Sequence, residues 1–135
     1  DVIGSGAYFE VVPDDRAALA EAAEIAAGWE RVFDRLAGFS EAKGRPILFT
    51  EIGYPGFVHG PARPWKWAGV PADAPTDLVR QGVAYEGFLK AARGRPWFQG
   101  FLLWRFHTST QGIFPWEYAL RERPATEVIR AALKR

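Results

Sequence analysis

The sequence contains no cysteine and no methionine, and only two histidines. Without cysteine, the chain can form neither disulfides nor thiolate metal sites. The two histidines, His59 and His107, have no neighbouring residues at the spacing of metal ligands, so we predict no metal centre. No apolar run reaches the roughly 18 residues that a transmembrane helix needs. The composition therefore excludes a disulfide scaffold and predicts no membrane-spanning segment.

An excess of charge of one sign is also missing. The 17 Lys and Arg residues nearly balance the 16 Asp and Glu residues, and they are scattered along the chain. Domains that bind nucleic acid usually carry a basic patch instead. The phosphate-binding P-loop and the glycine fingerprint of dinucleotide sites are absent as well. We therefore predict no nucleic-acid partner and no nucleotide cofactor. The sequence indicates neither the cellular compartment nor the oligomeric state.

Three apolar runs have the length of β-strands, at residues 2–9, 47–52 and 98–106. They are nearly continuous rather than alternating, which is typical of parallel strands covered on both faces. Each run is followed by sequence with helical spacing, so the predicted order of elements is β-α-β-α-β-α.

Capping and breaking residues predict where the three helices begin and end. We expect Asp14 to cap the first helix, Gly28 to divide it in two, and Gly44 to end it. Thr76 is the predicted cap of the second helix. Pro124 lies in the predicted first turn of the third helix, which closes on Lys134 and Arg135.

Repeated βα units of about 40 residues are the building blocks of right-handed crossover folds. About eight such units, in roughly 250 residues, are needed to close a barrel. The chain has no methionine at its start and opens directly in strand-like sequence at Asp1. We therefore expect an α/β fold made of the C-terminal three βα units of a (β/α)8 TIM barrel, with residues 1–135 forming part of one domain. The alternative is an independent small three-stranded α/β domain.

Glu51 is the residue of most interest because it lies at the C-terminal end of an apolar strand. A buried carboxylate without a partner costs several kcal/mol, so it is best tolerated where the strand enters a polar cleft. In parallel α/β folds, active sites lie beyond the carboxyl ends of the strands. Glu51 is therefore the candidate catalytic residue. The structural alternative is an ion pair with Arg105, near the end of the next strand.

Aromatic residues occur at the same predicted edge of the sheet. They make up 15% of the chain, with six tryptophans. Sugar rings present apolar faces on which tryptophan and tyrosine can stack. Hydrolysis of a glycosidic bond needs two carboxyl groups, of which Glu51 can supply one. The candidate substrate-binding residues are Tyr8, Tyr54, Trp65, Trp104 and His107.

Several segments resemble glycoside hydrolase family 113: DVIGSGAYF at the start, RPILFTEIGY, ARPW, RPWFQGFLLWRF and RPATEVIRAAL. The resemblance runs nearly end to end, and TEIGY is its most specific part. It implies a (β/α)8-barrel retaining enzyme that acts on β-1,4-mannan and manno-oligosaccharides without a cofactor. It also implies that Glu51, at the end of strand seven, is the nucleophile. The acid/base glutamate of the family lies on strand four, upstream of this chain.

The chain departs from the family pattern at two places near the predicted site. Gly6 replaces an acidic residue before Ala7 and Tyr8. Arg105 follows the strand-eight tryptophan, where the family usually continues with asparagine and another aromatic residue. These differences favour a related β-glycan as substrate as much as mannan. They also keep open a second function, that of a carbohydrate-binding barrel protein that has lost catalytic activity.

Overall fold

Three βα units follow one another in the computed structural model, which describes residues 1–109 and 111–134. The elements are β1 (Ile3–Gly6), α1 (Ala22–Lys43), β2 (Ile47–Ile52), α2 (Leu78–Ala92), β3 (Phe98–Leu103) and α3 (Pro124–Leu133). The strands form one parallel sheet in the order β1-β2-β3. The predicted order of elements and the parallel βα architecture are therefore confirmed.

The register of the sheet aligns the C-terminal ends of the three strands. Gly6 at the end of β1 lies opposite Glu51 on β2, and Ile52 lies opposite Leu103 on β3. The last ladder bonds run from Ala7 N to Glu51 O (2.8 Å) and from Trp104 N to Ile52 O (2.8 Å). The first and third strands are thus shorter than the apolar runs predicted, because the ladder ends where the chain enters the loops.

Helix α1 differs from the prediction at its start and at its middle. It begins at Ala22, whereas residues 14–19 form turns. Asp14 does not cap it, because its carboxylate instead binds His59 and Arg63. Gly28 does not break it either. A Cβ at this position would lie 1.9 Å from Val11 O, so the glycine permits a close backbone contact within a continuous helix.

The other helix ends agree more closely with the sequence. Gly44 ends α1 with a φ of 60°, and Pro124 opens α3 as predicted. The cap of α2 is Asp77 and not Thr76, because Asp77 Oδ1 accepts a hydrogen bond of 2.7 Å from Arg80 N. Helix α3 ends at Leu133, and Arg135 lies outside the described residues.

Helices cover one face of the sheet, and an aromatic core fills the space between them. We use the name aromatic core for Trp29, Phe33, Phe49, Phe88 and Phe98. The rings of Phe33 and Phe49 stack with centroids 5.8 Å apart, and those of Phe49 and Phe98 lie 4.8 Å apart.

The opposite face of the sheet is open in the described part of the chain. Thr50 is exposed, and Leu102 is 57% exposed. The expectation that both faces are covered is thus met on one face only. None of the helices in the described ranges is both long enough and apolar enough to cross a membrane.

Candidate functional site

Glu51 and Tyr8 meet at the carboxyl edge of the sheet. Strand β2 carries Glu51 one residue before its end, and Tyr8 follows two residues after β1. Because the strands are parallel and Gly6 lies opposite Glu51, the two side chains reach the same point. Tyr8 Oη donates a hydrogen bond of 3.1 Å to Glu51 Oε2. Tyr8 therefore orients the Glu51 carboxylate near the C-terminal end of β2.

The phenol of Tyr8 is held in its neutral, hydrogen-bond-donating form. Burial raises the pKa of Tyr8 well above its usual range, and the hydrogen bond to Glu51 raises it further. The ring of Tyr118 meets the ring of Tyr8 edge to face, with centroids 6.4 Å apart. Burial raises the pKa of Tyr118 as well. The Glu51 carboxylate thus accepts its hydrogen bond from a neutral phenol, that of Tyr8.

A cavity of about 360 Å³ opens above Glu51. Four tryptophans contribute to its walls, and we call it the tryptophan pocket. Its size is within the usual range of small-molecule sites. The residues that line it are Tyr8, Glu51, Trp65, Trp67, Trp104, Arg105, Trp116, Glu117 and Tyr118.

An ion pair forms the polar side of the tryptophan pocket. Arg105 Nη2 contacts Glu117 Oε1, and the Arg105 guanidinium lies 5.8 Å from the centroid of the Trp104 ring. The structure therefore pairs Arg105 with Glu117, and not with Glu51 as the structural alternative supposed. Among the described residues, the side-chain hydrogen bond that Glu51 receives comes from Tyr8.

The two long loops of the site are joined to each other. They comprise residues 53–77 after β2 and residues 104–123 after β3. Gly56 N donates to Trp116 O at 2.6 Å, and Tyr118 Oη donates to Pro64 O. A Cβ at Gly53 would lie 2.2 Å from Trp104 O and 2.8 Å from Tyr118 Cδ1, so the backbones touch at this point. The loops thus build the walls of the pocket as one unit.

The structure brings four of the six predicted site residues together: Glu51, Tyr8, Trp65 and Trp104 all line the pocket. Tyr54 does not. Its side chain is fully buried, its Oη accepts a hydrogen bond of 2.8 Å from Trp29 Nε1, and its ring packs against Tyr85. This position in the core corrects its assignment to substrate binding.

His107 also lies apart from the pocket. It is half-buried in the loop after β3 and is not among the lining residues. Arg105 lines the pocket too, although the sequence suggested it only as an ion-pair partner of Glu51. Four further lining residues were not among the predicted site residues: Trp67, Trp116, Glu117 and Tyr118. The only signal for them in the sequence is their position in two long loops rich in aromatic residues. Within the described residues, no three His, Cys, Asp or Glu side chains form a group that could hold a metal ion.

Three consecutive parallel βα units with a pocket at the carboxyl edge of the sheet have the architecture of part of a (β/α)8 barrel. The model of glycoside hydrolase family 113 matches residues 1–123. The chain therefore belongs to glycoside hydrolase family 113. No match was found among curated proteins.

Solved structures of this family have the same fold. One is a complex of a GH113 β-1,4-mannanase, which has 24% sequence identity and a TM-score of 0.72. Another is the GH113 β-mannanase AaManA from Alicyclobacillus acidocaldarius in complex with ManMIm, with 26% identity and a TM-score of 0.67. Both matches cover 99% of this chain but only 39% of the matched chain. The chain thus spans about two-fifths of the length of these mannanases.

Proposed function

We propose that the protein is a retaining glycoside hydrolase with Glu51 as its nucleophile, acting on β-1,4-linked manno-oligosaccharides, mannan or a related β-glycan. The observation that carries the proposal is the carboxylate of Glu51 at the end of β2, oriented by Tyr8 in a pocket walled by tryptophans. Membership of family 113 and the mannanase activity named for the matched structures support it.

The chemistry assigned to Glu51 is a double displacement at the anomeric carbon. A carboxylate oxygen of Glu51 forms a bond to this carbon while the glycosidic C–O bond breaks. The leaving oxygen takes a proton from a second carboxyl group. The same group then removes a proton from water, which attacks the anomeric carbon and releases Glu51. Tyr8 fixes one oxygen of the carboxylate, so the other oxygen is available for the attack.

The second carboxyl group is assigned to a part of the barrel outside these 135 residues. Glu117 is the other carboxylate in the pocket, but Arg105 already engages it. The resemblance to the family implies an acid/base glutamate on strand four instead. We propose accordingly that residues 1–135 are the C-terminal portion of one (β/α)8 domain. The uncovered face of the sheet and the 39% coverage of the mannanase structures support this assignment.

The tryptophans have the role of sugar-binding walls in this proposal. Trp65 and Trp104 are 49% and 40% exposed at the pocket. Large flat rings at a cleft can stack on the apolar faces of a sugar and still offer an N–H donor at their edge. The substrate is thus held by its ring faces while the anomeric carbon approaches Glu51.

Covalent labelling of the full-length protein tests the assignment of the nucleophile. An activated 2-fluoro-mannoside is expected to leave a stable glycosyl ester on Glu51, which peptide mass spectrometry locates. The Glu51→Gln variant is the control, with no label and a loss of activity on the order of 10⁴-fold or more.

Turnover of mannan together with a label on another residue would contradict the role of Glu51. Binding of manno-oligosaccharides without hydrolysis or label would favour the second function, a carbohydrate-binding barrel protein without activity.

A further inference from the structure

The tryptophan pocket contains hydrogen-bond donors that nothing in the described chain uses. Arg105 Nε and Trp116 Nε1 are buried, and neither has a partner among the described residues. Both side chains line the pocket beside Glu51. Because a buried donor without an acceptor is destabilising, such groups usually meet a ligand or an ordered water. The corner formed by Arg105, Trp116 and Glu117 is therefore equipped for a polar ligand group.

Contacts within the protein hold the side chains of this corner in place without a ligand. Arg105 is held from one side by Glu117 and lies 5.8 Å from the ring of Trp104. Arg123 Nη1 in turn donates a hydrogen bond of 2.6 Å to Glu117 O, which fixes the backbone that carries the carboxylate. Trp116 stacks on Phe114 with an interplanar angle of 3°. Ordering these groups in advance lowers the entropic cost of binding.

The charges of Arg105 and Glu117 indicate which chemical groups a ligand of this corner must carry. Arg105 offers donors only, whereas the Glu117 carboxylate offers acceptors only. A hydroxyl group both donates and accepts, so two neighbouring hydroxyls can satisfy the pair at once. An anionic ligand would face Glu117 and Glu51, and a cationic ligand would face Arg105. A neutral sugar with vicinal hydroxyls is thus the ligand that fits.

We propose that Arg105 and Glu117 bind two vicinal hydroxyl groups of the sugar held next to Glu51, and that Trp116 Nε1 donates to one of them. This inference rests on the proposed function, since it names the recognition element of the same site. The pair would then contribute to the preference of this site for one sugar over another.

Binding measurements on the full-length protein test the proposal. In the Glu51→Gln background, which prevents turnover, mannotriose is titrated calorimetrically. Arg105→Lys keeps the positive charge but removes Nε–H and the planar fork, and Glu117→Gln keeps the shape but removes the charge. Each is expected to weaken binding about tenfold or more, equivalent to about 1.4 kcal/mol. The matched control is the exposed Arg130–Glu127 pair on α3, where Arg130→Lys is expected to leave binding unchanged.

A series of mannotrioses that each lack one hydroxyl gives a second readout that needs no variant at the corner. Two of these analogues, each lacking one of a pair of adjacent hydroxyls, are expected to bind the Glu51→Gln protein about tenfold more weakly than mannotriose does. They are expected to lose little further affinity when Arg105→Lys is added, because the hydroxyl and its partner form one interaction.

The outcomes separate the two proposals. If the Glu51→Gln protein binds mannotriose and both corner variants retain that affinity, the role of Arg105 and Glu117 is wrong and the proposed function stands. If the variants fail to fold, equal affinity for all the deoxy analogues overturns the role by itself. If neither binding nor hydrolysis of any manno-oligosaccharide is found, the proposed function is wrong, and so is the role of Arg105 and Glu117 in binding sugar hydroxyls.

Discussion

Tryptophans occupy two regions of this molecule and have opposite surroundings in them. Trp29 of the aromatic core lies on helix α1 and is completely buried against Phe49 of β2 and Phe88 of α2, whereas Trp67 in the loop after β2 is 66% exposed. The side chains are chemically identical. The difference arises because α1 and α2 cover one face of the sheet, while the loop after β2 leaves the rings of Trp65 and Trp67 in contact with solvent. Burial of an aromatic residue therefore depends on the layer above it.

The aromatic residues of the two regions also contribute differently to the protein. Burial of the core rings removes a large apolar area from water and stabilises the fold. The rings of Trp65 and Trp67 gain little of this stabilisation, because about half or more of each side chain is exposed. Clustered exposed apolar rings beside a carboxylate mark a surface for a ligand. The contrast between the core and the pocket thus separates stability from binding, and each prediction below tests that separation.

Trp29→Ala is expected to have the largest effect, because it removes a fully buried side chain and leaves Tyr54 Oη without its donor. Truncation of a buried aromatic residue costs about 3–5 kcal/mol in the free energy of unfolding. Urea unfolding of the full-length protein measures this loss. Trp67→Ala is the matched control and is expected to stay within about 0.5 kcal/mol. Equal losses in the two variants would contradict the distinction between core and pocket.

Gly53→Ala is expected to have the second largest effect and to lower both stability and activity. Its new Cβ would lie 2.2 Å from Trp104 O, so the start of the loop after β3, which lines the pocket, must shift relative to residue 53. Overpacking of this kind costs about 1–3 kcal/mol in the free energy of unfolding, and the displaced loop lowers activity as well.

Gly38→Ala on α1 is the control for this prediction, because a Cβ there has no neighbour within 4 Å. It is expected to raise stability by about 0.5–1 kcal/mol, since alanine favours the helix over glycine. A Gly53→Ala protein with unchanged stability and activity would show that the loops are not in contact as the structure has them.

Alkaline pH is expected to weaken the core through Tyr54 and Tyr85. Burial raises the pKa of both phenols above their usual value of about 10. Their contribution to stability is complete below pH 10. As the pH rises further, the unfolded chain releases these protons while the folded chain retains them, so stability falls by about 1.4 kcal/mol per pH unit for each tyrosine.

Thermal unfolding between pH 8 and pH 11.5 measures this loss. Tyr85→Phe is the informative variant, because Tyr85 Oη has no partner among the described residues. It is expected to cost little at neutral pH and to make the decline above pH 10 shallower. A decline as steep as that of the unchanged protein would contradict the assignment to Tyr85.

Trp65→Ala is expected to have the smallest effect in kcal/mol. It should weaken ligand binding without changing stability. Loss of one stacking surface in the pocket costs about 1 kcal/mol, or roughly fivefold in the dissociation constant for mannotriose. The free energy of unfolding should not change. Phe39→Ala is the control, since Phe39 is also about half exposed but lies on α1, away from the pocket. An equal effect of the two variants on binding would mean that Trp65 is not part of a sugar site.

Features with a local signal in the chain were predictable. The apolar runs at 47–52 and 98–106 and the helical spacing between them indicate parallel βα units. Glu51 stands out because it is a carboxylate in an apolar strand. Gly44 and Pro124 mark helix ends by their own backbone preferences.

Features that depend on a distant partner were not predictable. Asp14 is a suitable helix cap by its local chemistry, but His59 and Arg63 approach it from a loop about 45 residues away along the chain and bind its carboxylate. Tyr54 follows a strand end just as Tyr8 does, yet it turns into the core because Trp29 is placed to donate a hydrogen bond to it.

The sequence by itself determined the order and type of the elements and the position of one carboxylate at a strand end, because these depend on residues close together in the chain. Only the tertiary structure decided that Arg105 pairs with Glu117 instead of Glu51, that Tyr8 orients Glu51, and which aromatic rings reach solvent. These contacts join strands and loops that are far apart in sequence. Which partner each side chain contacts depends on how the sheet, the helices and the two long loops pack together. No single segment of the sequence carries that information.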